Sequence, residues 1–294
     1  MGTPQTPSTI AQAMGWAQTQ GLDRLDAQLL VLHAVGRTDM ERAWLLAHDT
    51  DALPDAAHAT LQATVRRRAA GEPLAYITGH KAFYGLDLCV DGRVLVPRPD
   101  TETLVDWALE VLAIAPTTAS TSTTTEPHTK PTRVLDLGTG SGAIALALQH
   151  SRPDLQVLAI DYSTDALTVA QANALRLHLK VRFAQGNWLD GVQGCFDLIV
   201  SNPPYIAALD PHLAALTHEP RQALASGDHG LDDIGTIIAQ AGRHLQPGGW
   251  LLLEHGYDQA SAVRALLADA GFADAQSRRD LAGVERCSGG RWPS

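Results

Sequence analysis

The sequence predicts an α/β fold in which a mostly parallel sheet of seven strands follows a small helical bundle and a β-hairpin linker. Between residues 133 and 294, short apolar runs alternate with stretches of helical periodicity, which is typical of a parallel sheet. The first of these runs leads into a glycine-rich turn at 138–142. The N-terminal part instead carries leucines at helical spacing, which predicts a separate helical architecture.

Residues 1–79 are predicted to form the helical domain. Four leucines at helical spacing predict one face of a helix that ends at Gly36: Leu22, Leu25, Leu29 and Leu32. The segment shows no group of side chains that would carry catalysis. If the rest of the chain is an enzyme, such a bundle is expected to recognise the substrate, and a purely structural role stays open as the alternative.

Residues 80–97 are predicted to form a β-hairpin that links the helical domain to the sheet. Alternating apolar positions flank Asp91 and Gly92, and Asp-Gly between such positions is a hairpin signal. The remaining residues, 98–294, are predicted as the second domain, which opens with a helix over 104–112. The segment 116–132 is rich in Thr, Ser and Pro and is expected to be a flexible surface insertion that need not carry function.

Strands and helices alternate through the second domain. The strands are predicted at 134–137, 156–160, 181–183, 196–200 and 250–254, with two short closing strands after Phe272. The helices between them are predicted at 143–150 and 165–177, across 231–241, and around 262–267. The run at 196–200 is apolar and contains a β-branched pair, so we expect this strand to be buried on both faces.

Composition excludes several classes of protein. With 294 residues and 45% hydrophobic side chains, the chain has ample material for a core. No apolar run reaches about 18 residues and the N-terminus lacks a signal-peptide pattern, so neither a membrane span nor export is expected. Three widely spaced cysteines predict reduced thiols of a cytoplasmic protein, and the scattered histidines predict no metal site.

The formal charge of −10 argues against a protein that holds duplex nucleic acid. Binding to phosphates usually needs a basic face. The basic run in this sequence is Arg66, Arg67 and Arg68, which we interpret as a solvated helix end. We therefore expect no direct nucleic-acid partner.

The glycine-rich turn predicts a site for an adenosine-containing cofactor. Gly138, Gly140 and Gly142 let the backbone approach a ligand, with a strand before them and a helix after. Asp161 follows at the end of the next predicted strand, where its carboxylate can accept hydrogen bonds from two ribose hydroxyls. Trp188 follows the third strand and is placed to pack near an adenine ring, with simple core packing as the alternative.

The details of this turn favour S-adenosylmethionine. The spacing G-x-G-x-G differs from the G-x-G-x-x-G of dinucleotide folds, and no lysine follows for phosphates as in a P-loop. Asp136 stands two residues before the turn, where its charge would repel a pyrophosphate. A carboxylate there suits a ligand that carries an ammonium and a sulfonium.

The second chemical motif is N-P-P-Y at 202–205, directly after the fourth strand. Prolines lack an N–H and fix their own φ, and they hold the preceding residue extended. The Asn202 side-chain oxygen and the Pro203 carbonyl can therefore face one planar –NH₂ group as two acceptors, with Pro204 and Tyr205 beside them. Tyr205 could stack on the flat group that carries this nitrogen. The alternative is a proline-rich turn that only caps a strand.

Together these motifs resemble those of class I methyltransferases, and most closely the HemK/PrmC family. The matching stretches are V-P-R-P-D-T-E at 96–102, D-L-G-T-G-S-G at 136–142, S-N-P-P-Y at 201–205, D-P-H-L at 210–213, G-L-D-D-I at 230–234 and L-L-E-H-G at 252–256. The resemblance covers nearly the whole chain. The threonine-rich insertion and the last ten residues depart from the family pattern, and both lie outside these motifs.

The resemblance implies an S-adenosylmethionine-dependent methyltransferase with a class I, Rossmann-like domain at 98–294. Its substrate would be the glutamine of the Gly-Gly-Gln loop in class 1 peptide chain release factors, methylated on the side-chain nitrogen N5. The residues that would hold the cofactor are Gly138, Thr139, Gly140, Ser141, Gly142, Asp161, Trp188 and Asn202. The residues that would hold the substrate amide are Asn202, Pro203, Pro204 and Tyr205. Arg98 to Glu102 and Glu254 match family motifs but receive no role.

We expect Asn202 and Pro203 to carry catalysis by binding both hydrogens of the amide and stabilising positive charge that grows on its nitrogen. A DNA or RNA amino-methyltransferase acting on adenine N6 or cytosine N4 is the enzyme alternative, since its motif would be identical. A non-catalytic adaptor with the same fold is the other alternative. The intact glycine turn and N-P-P-Y motif argue against the adaptor, and the acidic charge argues against a nucleic-acid substrate.

Overall fold

A computed structural model of the chain describes residues 7–38, 41–114 and 131–294. The chain divides after His80 into two compact units. Most of the threonine-rich segment that the sequence predicts as a surface insertion lies outside the described residues. None of the helices within the described ranges combines the length and apolar character that crossing a bilayer requires.

The first unit is helical. Its helices are α1 (Ile10–Thr19), α2 (Arg24–Ala34), α3 (Arg42–Ala47), α4 (Asp55–Ala69) and α5 (Leu74–Thr78). The side chains of Thr9 and Asp23 cap α1 and α2 by accepting hydrogen bonds from backbone N–H groups of their first turns. Helix α2 packs against α1, α3, α4 and α5 and is the centre of this unit.

The predicted leucine stripe on α2 is partly wrong. Leu29 and Leu32 are buried as expected, but Leu25 is 47% exposed. Because α2 has neighbours on several sides, the consecutive residues Leu30 and Val31 are fully buried as well. A helix at the centre of a bundle buries more than one face, and a single stripe does not describe it.

The hairpin lies within the predicted range 80–97, but the predicted turn at Asp91-Gly92 is wrong. The hairpin consists of β1 (His80–Phe83) and β2 (Leu86–Cys89), and its turn is Tyr84-Gly85. Both turn residues have positive φ, 49° and 75°, as a two-residue type I′ turn requires. Gly92 lacks a positive φ, and Asp91-Gly92 lies in the connection that follows β2.

The second unit is built on one seven-stranded sheet. Its strands are β3 (Arg133–Leu137), β4 (Gln156–Asp161), β5 (Arg182–Gln185), β6 (Phe196–Ser201), β7 (Leu245–Glu254), β8 (Ala273–Arg279) and β9 (Glu285–Arg291). Its helices are α6 (Glu102–Ile114), α7 (Ala143–Ser151), α8 (Thr164–Arg176), α9 (Asp232–Ala241) and α10 (Ala260–Asp269). The predicted start of the fifth strand at Trp250 is wrong, because Gly248 and Gly249 pair with Trp292 and extend β7 to Leu245.

The strand order is β5-β4-β3-β6-β7-β9-β8. Strands β3 to β7 run parallel to one another, and β9 is antiparallel to both β7 and β8. The predicted α/β class with a mostly parallel sheet of seven strands is therefore confirmed. The order reverses between β3 and β6, and ligands bind at the carboxyl ends of strands at such a switch point.

The two strands at the switch point are the most deeply buried. In β3 and β6 the side chains of Val134, Leu135, Leu198 and Ile199 have no exposed surface. Adjacent positions of a strand point to opposite faces, so the sheet is covered on both sides here, as predicted for the run at 196–200. The core fixes the positions of the loops that leave these strands.

Asn173 on α8 joins the hairpin to the glycine-rich turn. Its side chain is fully buried, accepts a hydrogen bond from Cys89 N–H at 2.8 Å, and donates to the carbonyls of Cys89 and Ser141 at 2.9 and 3.0 Å. One amide thus satisfies three buried backbone groups. A buried backbone group without a partner costs about 1–3 kcal/mol.

We therefore predict that Asn173→Ala lowers the free energy of unfolding by about 2–4 kcal/mol, because it leaves these backbone groups unsatisfied. Urea denaturation followed by circular dichroism measures the change. The matched control is Gln171→Ala, an exposed amide on the same helix, which should shift stability by less than about 0.5 kcal/mol. Equal stability of the two variants would contradict the assignment.

Candidate active site

A cavity of about 250 Å³ lies at the carboxyl edge of the sheet, beside the switch point between β3 and β6. Three groups of residues line it. From the glycine-rich turn and the ends of β4 and β5 come Gly138, Thr139, Gly140, Ser141, Asp161, Tyr162, Gly186, Asn187 and Trp188. From the segment before α6 come Arg93, Val94, Leu95, Pro97, Arg98 and Thr101. From the region after β6 come Asn202, Pro204, Pro220, Gln222, Ala223 and Asp233.

The glycine-rich turn is tied to the end of β4 by its backbone. The N–H groups of Gly138 and Thr139 both donate to the Ile160 carbonyl, at 2.8 and 3.0 Å. Gly138 has φ +69°, and a Cβ there would lie 3.2 Å from the Trp188 ring. Glycine is therefore favoured at position 138, where it lets the indole approach the backbone closely.

Asp161 stands at the tip of β4 and faces the cavity. One carboxylate oxygen accepts from Gly140 N–H and the other from Ser163 N–H, both at 2.8 Å. Burial raises the pKa of this carboxyl, while the backbone donors oppose that rise. A carboxylate offers about four lone-pair sites, so each oxygen keeps acceptor capacity for a ligand hydroxyl.

Trp188 lies where both interpretations from the sequence place it, beside the cavity and against the core. Its ring lines the cavity and also packs against the main core of the sheet unit. The indole Nε1–H donates to Asp233 at 3.0 Å, and Trp188 has a positive φ of 50°. Asp233 belongs to the G-L-D-D-I stretch and was missed as a site residue, because its partner lies 45 positions away.

Asp136 lies behind the turn and is fully buried. Its Oδ2 accepts from the Thr139 hydroxyl at 2.6 Å and from Ala145 N–H at 3.2 Å, at the start of α7. Its Oδ1 has no hydrogen-bond partner among the described residues. Burial raises the pKa of Asp136 to about 7, partly offset by these hydrogen bonds.

Part of the N-P-P-Y segment lines the same cavity as the glycine-rich turn. Asn202 and Pro204 line the cavity, whereas Pro203 is buried and Tyr205 points elsewhere. The Asn202 Nδ2 donates to the Thr101 hydroxyl at 3.2 Å, which leaves its Oδ1 available to accept from a ligand. The Tyr205 hydroxyl donates to Glu254 Oε1 at 3.2 Å.

The structure thus brings together most of the residues that the sequence predicts for the site. Of the predicted cofactor residues, Gly142 does not line the cavity but begins α7, and a Cβ on it would lie 3.0 Å from Leu146. Of the predicted substrate residues, Pro203 and Tyr205 lie outside the lining. The sequence reasoning missed Thr101, which the V-P-R-P-D-T-E stretch could have indicated. The individual roles of all these residues stay predictions.

The residues present fit S-adenosylmethionine. Asp161 retains acceptor sites for two hydroxyls, and the backbone at Gly138 and Gly140 leaves room for close approach. The Trp188 ring supplies a flat apolar wall for a base. The carboxylate of Asp161, which lines the cavity, suits a ligand that carries positive charge.

Comparison with known proteins supports this assignment. Two family models match: the PrmC N-terminal domain at residues 16–79 and the Methyltransferase small domain at residues 122–230. The chain is 47% identical over 291 residues to the release factor glutamine methyltransferase of Xylella fastidiosa, with 98% of this chain and 99% of that protein covered. It is 48% identical to the enzyme of the same name from Bordetella pertussis, with 92% and 95% covered. The enzyme of that name from Escherichia coli is 41% identical, with 96% and 97% covered.

Solved structures share the fold. A methyltransferase from Pyrococcus furiosus superposes with a TM-score of 0.51 at 20% identity, covering 79% of this chain and 98% of that one. The human methyltransferase 10 domain containing protein gives a TM-score of 0.50 at 15% identity, covering 71% and 89%. At such identities the likeness concerns the fold alone.

We predict that Asp161→Ala weakens binding of S-adenosylmethionine about 10–100-fold, because two charge-assisted hydrogen bonds are lost. Isothermal titration calorimetry measures the Kd. The exposed Asp190→Ala should bind the cofactor like the parent protein and controls for a lost acidic charge. An unchanged Kd in Asp161→Ala would remove this residue from the cofactor site.

The raised pKa of Asp136 also predicts that the stability of the protein depends on pH. An unfolded aspartate has a pKa near 4, and the folded Asp136 has one of about 7, so the folded state holds more protons between these values. The free energy of unfolding should therefore fall as pH rises from about 4 to 7, with a slope of at most about 1.4 kcal/mol per pH unit from this group. Glu254, whose pKa is also raised to about 7 by burial, acts in the same direction.

Urea denaturation of the parent protein and of Asp136→Asn at pH 5, 6, 7 and 8 isolates the contribution of Asp136. We expect a shallower fall in stability for the variant across this window. Asp190→Asn, an exposed site, should follow the parent. Parallel curves for the parent and Asp136→Asn would contradict the raised pKa.

Proposed function

The chain belongs to the family of release factor glutamine methyltransferases, and from this we propose that it methylates the N5 nitrogen of the glutamine in the Gly-Gly-Gln loop of class 1 peptide chain release factors. S-adenosylmethionine is the methyl donor, and the protein is an enzyme with the class I methyltransferase fold. The observation that supports the substrate chemistry most directly is the orientation of Asn202. Its nitrogen is engaged by Thr101, and its oxygen is left to accept from a bound amide.

Asn202 Oδ1 and the Pro203 carbonyl would each accept one N–H of the substrate amide. Pro203 is followed by Pro204, so this short segment has fixed φ angles and no backbone N–H that would compete with the substrate for an acceptor. Two fixed acceptors bind the –NH₂ of an uncharged carboxamide and exclude a carboxylate, which has no hydrogen to donate. The site would therefore distinguish glutamine from glutamate.

These two acceptors would also help to overcome the low nucleophilicity of the amide nitrogen. An amide nitrogen is a poor nucleophile because its lone pair is delocalised into the carbonyl. As the nitrogen forms a new bond to carbon, positive charge grows on it and strengthens both hydrogen bonds. Interactions that are stronger in the transition state than in the ground state lower the barrier. The bound cofactor supplies the methyl group, attached to a positively charged sulfur.

A proton must leave the nitrogen after transfer. The N-protonated amide product is strongly acidic, so it can lose this proton without a strong base. The carboxyl of Glu254 lies behind the N-P-P-Y segment but does not line the cavity. The residues in contact with the substrate thus bind and orient it, and no general base is assigned.

We also propose that the helical unit recognises the release factor. It has its own buried core, centred on residues such as Leu30, Leu45 and Leu61, and no catalytic group is found among its described residues. The net charge of −10 disfavours a nucleic-acid substrate that would be held through its phosphates. A protein substrate needs no basic face.

We predict that Asn202→Ala lowers kcat on a release factor at least about 100-fold, because one of the two acceptors is lost. The Kd for S-adenosylmethionine should change by less than about threefold. Transfer from cofactor with a radiolabelled methyl group measures kcat, and calorimetry measures the Kd. Gln193→Ala, an exposed amide, is the matched control and should keep full activity. Unchanged turnover in Asn202→Ala would remove the central role from Asn202.

Mass spectrometry of the treated release factor tests the substrate assignment. We expect one added methyl group on the peptide that contains the Gly-Gly-Gln sequence, and none after that glutamine is replaced by glutamate. DNA and RNA offered in parallel should stay unlabelled. Methyl transfer to adenine or cytosine, with none to the release factor, would overturn the proposal in favour of a nucleic-acid amino-methyltransferase.

A further inference from the structure

Two arginines are among the described residues that line the cavity, and each is paired with an acidic side chain outside the lining. Arg98, in the segment before α6, forms an ion pair with Glu219 at 2.5 Å. Arg93 forms one with Asp91 at 2.6 Å. The positive charges of the cavity wall are therefore compensated by carboxylates that do not line the cavity.

The acidic side chains of the lining, Asp161 and Asp233, are not compensated in this way. Asp161 accepts hydrogen bonds from the N–H groups of Gly140 and Ser163, and Asp233 accepts one from the indole of Trp188. These donors are neutral, and within the described ranges neither aspartate forms an ion pair. The cavity therefore keeps negative charge, and a cleft lined by one sign of charge concentrates its field on a ligand of the opposite sign.

Glu219 joins two parts of the cavity wall and is buried while doing so. Its side chain is 3% exposed, and its second oxygen accepts from Val96 N–H at 3.4 Å. The next residue, Pro220, lines the cavity, as does Arg98. Glu219 thus connects the segment after β6 to the segment before α6. Because water is excluded from this carboxylate, its effect on the charge of Arg98 is only weakly screened.

The pair of Arg93 and Asp91 differs from this one in its exposure to water. Its two side chains are 45% and 47% exposed. Ion pairs between exposed side chains are screened by water and salt and contribute little. Removing Glu219 would therefore leave an uncompensated positive charge at the cavity, whereas removing Asp91 would leave a charge that the solvent screens.

We propose that Glu219 is a specificity-determining residue for the charge of the cofactor and that it acts through Arg98. By compensating the arginine, it raises the affinity of the cavity for S-adenosylmethionine relative to the demethylated product, S-adenosylhomocysteine. The two compounds share their adenosine and amino-acid groups, and they differ in one methyl group and in the positive charge of the sulfur. This inference concerns the cofactor and does not depend on which substrate accepts the methyl group.

Isothermal titration calorimetry with both compounds tests the proposal. Glu219→Gln keeps the shape of the side chain and removes its negative charge. We expect the ratio of the Kd for S-adenosylmethionine to the Kd for S-adenosylhomocysteine to rise about 3–10-fold, because Arg98 then repels the charged sulfur. A change in contacts to the shared groups would move both Kd values together and leave this ratio unchanged.

Arg98→Gln is expected to shift the same ratio in the opposite direction, to about 3–10-fold below the parent value, because it removes positive charge and leaves that of Glu219 uncompensated. The double variant of Glu219→Gln and Arg98→Gln has no charge at either position and should return the ratio to within about twofold of the parent. A pair that only shaped the cavity would not produce shifts of opposite sign that cancel.

Asp91→Asn is the matched control, because it also replaces the acidic partner of an arginine in the lining. Its ratio should stay within about twofold of the parent, and a shift as large as that of Glu219→Gln would overturn the assignment to Glu219. The proposal is also overturned if Glu219→Gln raises both Kd values by the same factor, or if the double variant keeps the ratio of Glu219→Gln. Thermal melting establishes which variants are folded. If Glu219→Gln is not, Arg98→Gln decides, and an unchanged or higher ratio there would overturn the proposal.

Discussion

The parallel pairing of β3 with β6 is the constraint on which the site depends. Leu137 pairs with Ser201 in this register, and the Ser201 hydroxyl donates to the Leu137 carbonyl at 2.7 Å. Leu137 and Ser201 are the last residues of their strands, so the glycine-rich turn and Asn202 leave the sheet side by side. Since both strands are buried on two faces, a slip in register would expose apolar side chains and is strongly disfavoured. The distance between the glycine-rich turn and Asn202 is therefore set by the core.

Each of the two loops has a buried carboxyl behind it. Asp136 accepts hydrogen bonds from the Thr139 hydroxyl and from the start of α7, and Glu254 accepts one from the Tyr205 hydroxyl. Both carboxyls keep one oxygen without a hydrogen-bond partner among the described residues, and burial raises the pKa of each to about 7. Such groups cost stability, and natural proteins retain them where activity needs a fixed, preorganised site. The two loops are thus built alike, although we propose different ligands for them, a cationic cofactor and a neutral amide.

The sequence predicts the features that local patterns carry. The run at 196–200 is buried as its apolar residues indicate, and the glycine-rich turn lies between a strand and a helix, with Asp161 at the end of the next strand. The turn of the hairpin was misplaced because Asp-Gly is a common type I′ signal, while the chain uses Tyr84-Gly85, where a tyrosine adopts a positive φ. Such a turn is stabilised by its surroundings, which include a hydrogen bond from Tyr84 N–H to Glu102.

Contacts between distant residues could not be predicted from the pattern. Thr101 is 101 positions from Asn202, and Glu254 is 49 positions from Tyr205, so no periodicity relates them. The sequence indicated only that their motifs existed.

The structure of the enzyme with a release factor and the demethylated cofactor tests the central claim most directly. It is predicted to show both hydrogens of the glutamine amide donated to Asn202 Oδ1 and to the Pro203 carbonyl. A glutamine amide bound with neither oxygen within hydrogen-bond distance would contradict it.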